Sequence, residues 1–340
     1  MIPALANDHL SSFLAAQGWL DAGYEPFPAD WGTRTYARLT KADGRTALLM
    51  DMSLDSNLPD YVRIADYLRS VGLHTPEVYA VDERAGLALI EDFGDISFGN
   101  RLRRGYNDIY ELATDALIQL RDRADRKALD LPVYRDTPYN LGKRRIVDWY
   151  VPAARGSKNP DGLAESFLAV WDRIESALPP CPQVICHADY HPENLMLLPG
   201  QGCGLIDFQD AFIGPAPYDL ANLLEDIRND VSEDLRAAMK KRYCADMTSQ
   251  EREAFDSWYR VVATHFHCRV IGQCYKLAVG SGRDDLLTYL PRMEGYMRVA
   301  LGHPVLAPLA DWFVAQGIDF ENTPVIMAED LKPFIREDAY

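Results

Sequence analysis

Three side chains in the middle of the chain have the types and spacing to handle a phosphate group in transfer. Asp189 sits in the run His187-Ala188-Asp189-Tyr190-His191-Pro192-Glu193-Asn194, five residues before Asn194, and Ile206-Asp207-Phe208-Gln209-Asp210 brings another carboxylate 18 positions after Asp189. Phosphoryl transfer makes little covalent demand on a protein. It needs an oriented hydroxyl and cations that neutralise charge on the moving group. In the loop pattern that these residues match, the Asp accepts the hydroxyl proton, the Asn holds a metal ion and the later Asp is the other metal ligand. Asp and Asn also close ordinary turns, and a lone Asp-x-x-x-x-Asn carries no weight. The flanks carry it: an apolar run from Leu195 to Leu198, a Gly- and Pro-rich turn from Pro199 to Gly204, and a short strand, Gly204-Leu205-Ile206, ending at Asp207. That order predicts a catalytic loop, a β-hairpin and then a metal-binding Asp.

The elements that position these residues divide unevenly. Residues 1–95 alternate short strand signals with one helix, and most of 96–340 reads as helical, which predicts an α+β chain with a small β-rich lobe followed by a large α-rich lobe. Thr35 to Leu39 and Thr46 to Met50 flank Asp43-Gly44, a strong hairpin signal. Tyr61, Ile64, Ala65 and Leu68 trace one helix face, with Gly72 as a stop. Strands are expected at Glu77 to Val81 and Leu87 to Glu91, and a hinge at Glu91-Asp92-Phe93-Gly94-Asp95. Beyond it, apolar helix faces run through Ile109 to Leu120, Leu163 to Leu178, Phe255 to Phe266 and Leu286 to Met297. Their aromatic residues read as core.

Composition excludes several classes of partner. The net charge of −16 argues against nucleic acid and anionic membranes, where binding rests on Lys and Arg. Met1 to Leu10 has neither a basic start nor a long apolar core, and no run approaches the roughly 20 apolar residues of a membrane span. The six cysteines form no C-x-x-C pair and read as reduced thiols of a cytoplasmic protein. His265 and His267, two apart on a helix, point to different faces and read as structural.

The run from His187 to Asn194 resembles the H-x-D-x-H-P-x-N loop of the aminoglycoside phosphotransferase and choline kinase branch of the protein-kinase-like fold. His191 and Pro192 are part of that likeness. Ile206 to Asp210, Gly214-Pro215 and Tyr218-Asp219-Leu220-Ala221 resemble its metal segment and supporting helix. Within the branch, the chain is most similar to bacterial anomeric sugar kinases that phosphorylate N-acetylmuramate and N-acetylglucosamine at C1 for cell-wall recycling. Thr33 to Leu39 resembles their R-R-Y-x-R-L segment, and Leu49-Met50-Asp51, Asp148-Trp149-Tyr150 and His303 to Leu309 fit in order. The resemblance implies a bilobal kinase fold with ATP and Mg²⁺ bound in a cleft and a small amino sugar as acceptor. It also implies Asp189 as proton acceptor with His187 bracing its loop, Asn194 and Asp207 as metal ligands, and Asp219 as an anchor for the loop backbone.

Two departures bear on mechanism. No Val-Ala-Ile-Lys strand is present, and Met50-Asp51 stands where the ATP-orienting Lys is expected. Arg34 and Arg38 are the replacement candidates, in a nucleotide-covering region where Gly32 and Thr33 offer backbone N–H groups and where an alternating charged hairpin face would look the same. Glu91 and Phe93 would offer main-chain groups to adenine. Lys143, Arg144, Arg145, Asp148 and Glu193 are candidates for the sugar pocket, the basic trio suiting the lactyl carboxylate of N-acetylmuramate or else forming an exposed basic turn. Asp219 follows Asp207 by only 12 positions, too few for the segment that docks peptides, so no protein substrate is expected. The rival readings are a phosphotransferase for a cationic acceptor, an aminoglycoside or choline, and a nucleotide-binding pseudokinase.

Overall fold

The computed structural model describes residues 8–28, 34–54, 57–200 and 202–340. They form two compact units, residues 1–129 with 191–211 and residues 130–190 with 212–340.

The first unit opens with α1 (Asp8–Ala16), β1 (Gly23–Pro26), β2 (Thr35–Thr40), β3 (Thr46–Asp51), α2 (Leu58–Ser70), β4 (Val78–Asp82) and β5 (Leu87–Ile90). The strands make an antiparallel sheet in the order β1-β2-β3-β5-β4. The β2–β3 register, Thr40 opposite Thr46, follows from the predicted turn, where Gly44 takes φ +86° and Lys41 N–H donates to Arg45 O at 2.9 Å. Strand alternation then turns Leu39, Ala47, Leu49, Leu87 and Leu89 to one core with Phe13, Leu14 and Trp19. On α2 the expected face, Tyr61, Ile64, Ala65 and Leu68, is buried, and Tyr61 stacks on Phe208 with ring centroids 4.9 Å apart. Next come α3 (Phe98–Arg103) and α4 (Ile109–Arg123).

The chain then enters the second unit with the short helices α5 (Pro138–Leu141) and α6 (Val151–Arg155), which bracket a π-helical turn at Ile146–Tyr150. Pro152 has no N–H to donate, and the N–H of Val151 bonds Ile146 O, five residues back. α7 (Leu163–Ala177) and β6 (Gln183–Cys186) follow. The chain returns to the first unit for the hairpin β7 (Leu195–Leu198) and β8 (Gly202–Leu205). This hairpin bonds back to its own unit through Leu197 N–H to Ile96 O at 2.8 Å and Leu205 N–H to His74 O at 2.7 Å. With α3 against β7 and α4 against β8, the first unit extends past residue 95, where the sequence places a lobe boundary.

The remainder belongs to the second unit: β9 (Phe212–Pro215), paired antiparallel with β6, then α8 (Tyr218–Leu224), α9 (Glu233–Tyr243), α10 (Ser249–Ser281), α11 (Leu290–Leu301), α12 (Ala307–Ala315) and α13 (Ala328–Leu331). Its core gathers the expected helix faces, with Phe167, Trp171, Ile271, Met293 and Phe313 buried together. α10 starts at a capping box, Thr248 with Glu251, and stops at Gly282, φ +65°. His265 and His267 are fully buried within it, facing Glu175 and Glu225 respectively. None of the described helices is long and apolar enough to cross a membrane.

α10 crosses the 142–150 segment closely because Gly272 lacks a side chain: a Cβ there would lie 2.2 Å from the carbonyl carbon of Arg145. Gly272→Ala should therefore destabilise the chain by about 1–3 kcal/mol, the cost of overpacking a close contact. Denaturant unfolding measures it. Unchanged stability would show that the helix crossing is looser than this.

Candidate active site

The predicted site residues fall on two stretches, and the chain passes from one unit to the other between Tyr190 and His191. Each half is built within its own unit.

In the second unit, β6 ends at Cys186 and releases His187, Ala188 and Asp189 into an irregular turn. Ala188 has φ +82°, a left-handed backbone that costs a residue with a Cβ roughly 1–2 kcal/mol. Asp219, in the first turn of α8, offsets that cost. Its Oδ2 accepts the His187 backbone N–H at 2.6 Å and its Oδ1 the Ala188 N–H at 3.2 Å, while Asn222 donates to Ala188 O at 3.4 Å. The helix thereby fixes the backbone from which the partly exposed Asp189 projects. The His187 ring is buried and edge-on to Tyr190 at 5.4 Å, a packing role that fits bracing. Burial pushes the Asp219 carboxyl up to about 7; the two backbone N–H groups pull it down, and the charge of Asp189 adds to the rise.

In the first unit, His191 precedes a single 3₁₀ turn, Pro192–Asn194, and the chain pairs at once as β7 and β8. Leu195 faces Leu205, and Ile206 N–H donates to Asn194 O at 3.1 Å. Asp207 is the next residue. The hairpin alone therefore carries Asn194 and Asp207 to its open end. Asp207 has φ +63°, a region Asp enters more readily than most residues, and its Oδ1 meets Arg34 Nη1 at 2.9 Å and Gln209 Nε2 at 3.1 Å. Amide and carboxylate oxygens are hard donors, the chemistry Mg²⁺ selects. Among the described residues no cluster of three or more His, Cys, Asp or Glu offers another metal site.

His191 bears on how Asn194 faces a cation. Its Nε2 lies 3.3 Å from Asn194 Nδ2, and its Nδ1 lies 3.3 Å from Glu193 N. A neutral imidazole has one lone-pair nitrogen, so it accepts only one of these. With Nδ1 accepting the Glu193 N–H, Nε2 carries the hydrogen of the neutral ring and faces the Asn194 amide, so the ring sets which way that amide turns.

The two arginines part company. Arg34 reaches Asp207, whereas Arg38 forks onto Asp92 at 2.7 and 3.0 Å and contacts Asp95 at 2.6 Å. Burial raises the Asp92 carboxyl, but the Arg38 fork and the Gly94 N–H outweigh it and hold Asp92 below its ordinary value. Arg38 thus ties β2 to the 91–95 segment. Gly32 and Thr33 lie outside the described residues. Glu91 continues the sheet, its N–H bonding Glu77 O at 2.8 Å, and Phe93 packs against β8, where a Cβ on Gly204 would come within 2.8 Å of its ring.

The sugar-pocket candidates are spoken for by other partners. Glu193 pairs with Arg103 at 2.6 Å over Gly99, where a Cβ would lie 2.1 Å from its Oε1. Lys143 is buried on Glu175 at 2.9 Å and Asn140 at 2.8 Å; desolvation lowers its ammonium despite the carboxylate. Arg144 bonds Asp148 and Asp338, and Arg145 lies 5.1 Å over the Tyr340 ring. Asp148 accepts the Tyr340 N–H at 2.9 Å, and burial raises its carboxyl. These four residues hold the 338–340 segment and α7 rather than facing one shared space. Sequence reasoning missed Gly99, Arg103 and Asn222, whose roles depend on partners distant in the chain.

A small antiparallel sheet, a loop braced from a following helix and a hairpin ending in paired metal-type ligands define a kinase-like phosphotransferase. The chain matches the model of the phosphotransferase enzyme family over residues 23–292 and belongs to that family. It is similar to an N-acetylmuramate/N-acetylglucosamine kinase of Caulobacter vibrioides, 29% identical with 89% of this chain and 94% of that one covered. A protein of the same name from Pseudomonas aeruginosa is 30% identical, covering 89% and 92%. Among solved structures, a choline/ethanolamine kinase family protein of Mesorhizobium loti superposes with TM-score 0.62 at 16% identity over 90% of this chain and 98% of that one. Aminoglycoside phosphotransferase APH(4)-Ia gives TM-score 0.57 at 13% identity over 85% and 97%. These likenesses establish the protein-kinase-like fold.

Because Asp219 titrates near 7 when folded and near 3.8 when unfolded, the native state binds the extra proton between those values. Its contribution to stability is therefore greatest at low pH and is lost as pH rises from about 4 to about 7. Unfolding free energies of the parent and of Asp219→Asn, measured at pH 5 and pH 8, should converge or cross in that direction, the parent losing ground as pH rises. A pH-independent difference would mean that the two N–H donors hold Asp219 at an ordinary carboxylate value.

Proposed function

We propose that the chain transfers the γ-phosphoryl group of ATP to the anomeric C1 hydroxyl of N-acetylmuramate and N-acetylglucosamine, with Mg²⁺ as the metal. The observation that carries the chemistry is the hairpin that sets Asn194 beside Asp207, together with the Asp219-held turn that presents Asp189. The relatives named for the two amino sugars, which match 83–89% of this chain, support the acceptor.

Asp189 orients the sugar hydroxyl and takes its proton as the hydroxyl oxygen bonds to the γ-phosphorus and ADP leaves. Asn194 and Asp207 would hold the metal through their side-chain oxygens, and the bound ion would offset charge on the phosphate oxygens. Arg34, which pairs with Asp207, supplies the cation for the phosphates in this reading, where the strand lysine is missing. His187 braces the loop, and Glu91 and Phe93 offer main-chain groups to adenine. The small lobe, residues 1–95, covers the nucleotide, and residues 96–340 carry the catalytic loop and acceptor site. Cytoplasmic residence suits an enzyme that consumes ATP and carries six cysteines outside any disulfide.

The C1 hydroxyl of a reducing sugar is more acidic than a ring alcohol and asks less of a carboxylate base. Proton and phosphorus NMR of products from a panel of N-acetylhexosamines, their methyl glycosides, kanamycin and choline tests the reading. Phosphorus-coupled splitting of the anomeric proton is expected for the free sugars, with no turnover of methyl glycosides, kanamycin or choline. Phosphate on C6, or equal turnover of a sugar and its methyl glycoside, would overturn the anomeric assignment.

A further inference from the structure

In the second unit a groove of about 750 Å³ lies between α9 and the first half of α10. Three of its lining cations are turned inward. The side chains of Arg236, Lys240 and Arg260 are 19%, 28% and 20% exposed, whereas the acids that pair with the first two, Glu233 and Asp256, are 82% and 58% exposed on the rim. Pairs with such exposed carboxylates are weak and exchangeable. Of the lining acids only Glu225 is buried, and it is shared between Arg260 at 3.7 Å and His267 at 3.2 Å. On the floor, the Tyr259 ring lies 4.6 Å from the Lys240 ammonium, and its hydroxyl is buried beside Glu225.

The groove is lined by six Lys and Arg side chains against three carboxylates, Glu225, Glu233 and Asp256, a local excess of three positive charges in a chain whose net charge is −16. A chain so acidic repels anions over most of its surface, so a local reversal of sign selects for them. Guanidinium groups and an ammonium around a phenol match a dianion with three acceptor oxygens. We infer that this groove is an accessory binding site for a phosphate monoester or phosphate dianion, held by Arg236, Lys240 and Arg260 with Tyr259 as a further donor. None of these residues belongs to the active site, and the inference stands whichever acceptor the enzyme uses.

The test is isothermal titration of the full chain with inorganic phosphate and, separately, with N-acetylglucosamine 1-phosphate. The nucleotide site is kept filled with Mg²⁺ and a non-hydrolysable ATP analogue. Saturable binding is expected for the parent. Lys240→Glu and Arg236→Gln should each weaken it about tenfold or more, as loss of a charge-assisted bond would. Asp256→Asn, which frees Lys240 from its rim acid, should tighten it, a gain that misfolding cannot mimic. Thermal melts check that the weakened variants remain folded. Equal affinity for the two ligands would support a site that reads phosphate alone, and tighter binding of the sugar phosphate one that also reads the sugar. No saturable binding of either ligand, or affinities unmoved by Lys240→Glu and Asp256→Asn, would overturn the assignment.

Discussion

The carboxylate of Asp219, taking the backbone N–H groups of His187 and Ala188 at 2.6 and 3.2 Å, is the contact on which the catalytic loop depends. Ala188 would not stay at φ +82° without it, since an unsupported left-handed residue relaxes to a commoner region of backbone space. The carboxylate is itself buried at the start of α8, and α8 is held in place by α10. A helix of the second unit thus sets the direction in which Asp189 leaves the chain. The arrangement costs desolvation of a carboxyl group, visible in its raised pKa, and offsets that cost with two charge-assisted hydrogen bonds.

Asn194 and Asp207, the candidate metal ligands, are organised by a different and more local device. β7 and β8 form a hairpin whose open end carries Asn194 and Asp207, so their proximity needs no other element. Around them the first unit spends its arginines carefully. Arg34 neutralises Asp207, and Arg38 fastens the sheet to the 91–95 segment through Asp92. Arg34 stands one residue before β2, and Met50, on the facing strand β3, is buried. His191 contacts both the Glu193 N–H and the Asn194 amide, which gives the second histidine of the loop a physical reason to be there.

Much of this was legible in the sequence, and the reason is range. Asp43-Gly44 and the period of α2 are local signals, and the hairpin between Asn194 and Asp207 is written in consecutive residues, so each survives folding unchanged. Long-range partners are invisible to such reasoning. The charges from Lys143 to Asp148 read as a sugar pocket, yet they find Glu175 32 residues away and Asp338 194 residues from Arg144. Arg38 read as a phosphate ligand because its partner, Asp92, lies 54 residues on. β6 pairs with β9 across the whole catalytic hairpin, and β1 is a four-residue edge strand containing Gly and Pro, the composition that sequence rules assign to turns. The π-helical turn before Pro152 had a local cause, but a proline inside a helical pattern announces a break without saying of what kind.

The central claim is that Asn194 and Asp207 act together as the ligands of one nucleotide-bound divalent ion. Calorimetric titration of ATP into the protein with and without Mg²⁺, for the parent, Asp207→Ala and Asn194→Ala, tests it most directly. The account predicts Mg²⁺-dependent ATP binding in the parent and its loss or severe weakening in both variants, each with an unchanged melting profile. Unaltered Mg²⁺-ATP affinity in folded Asp207→Ala would contradict it.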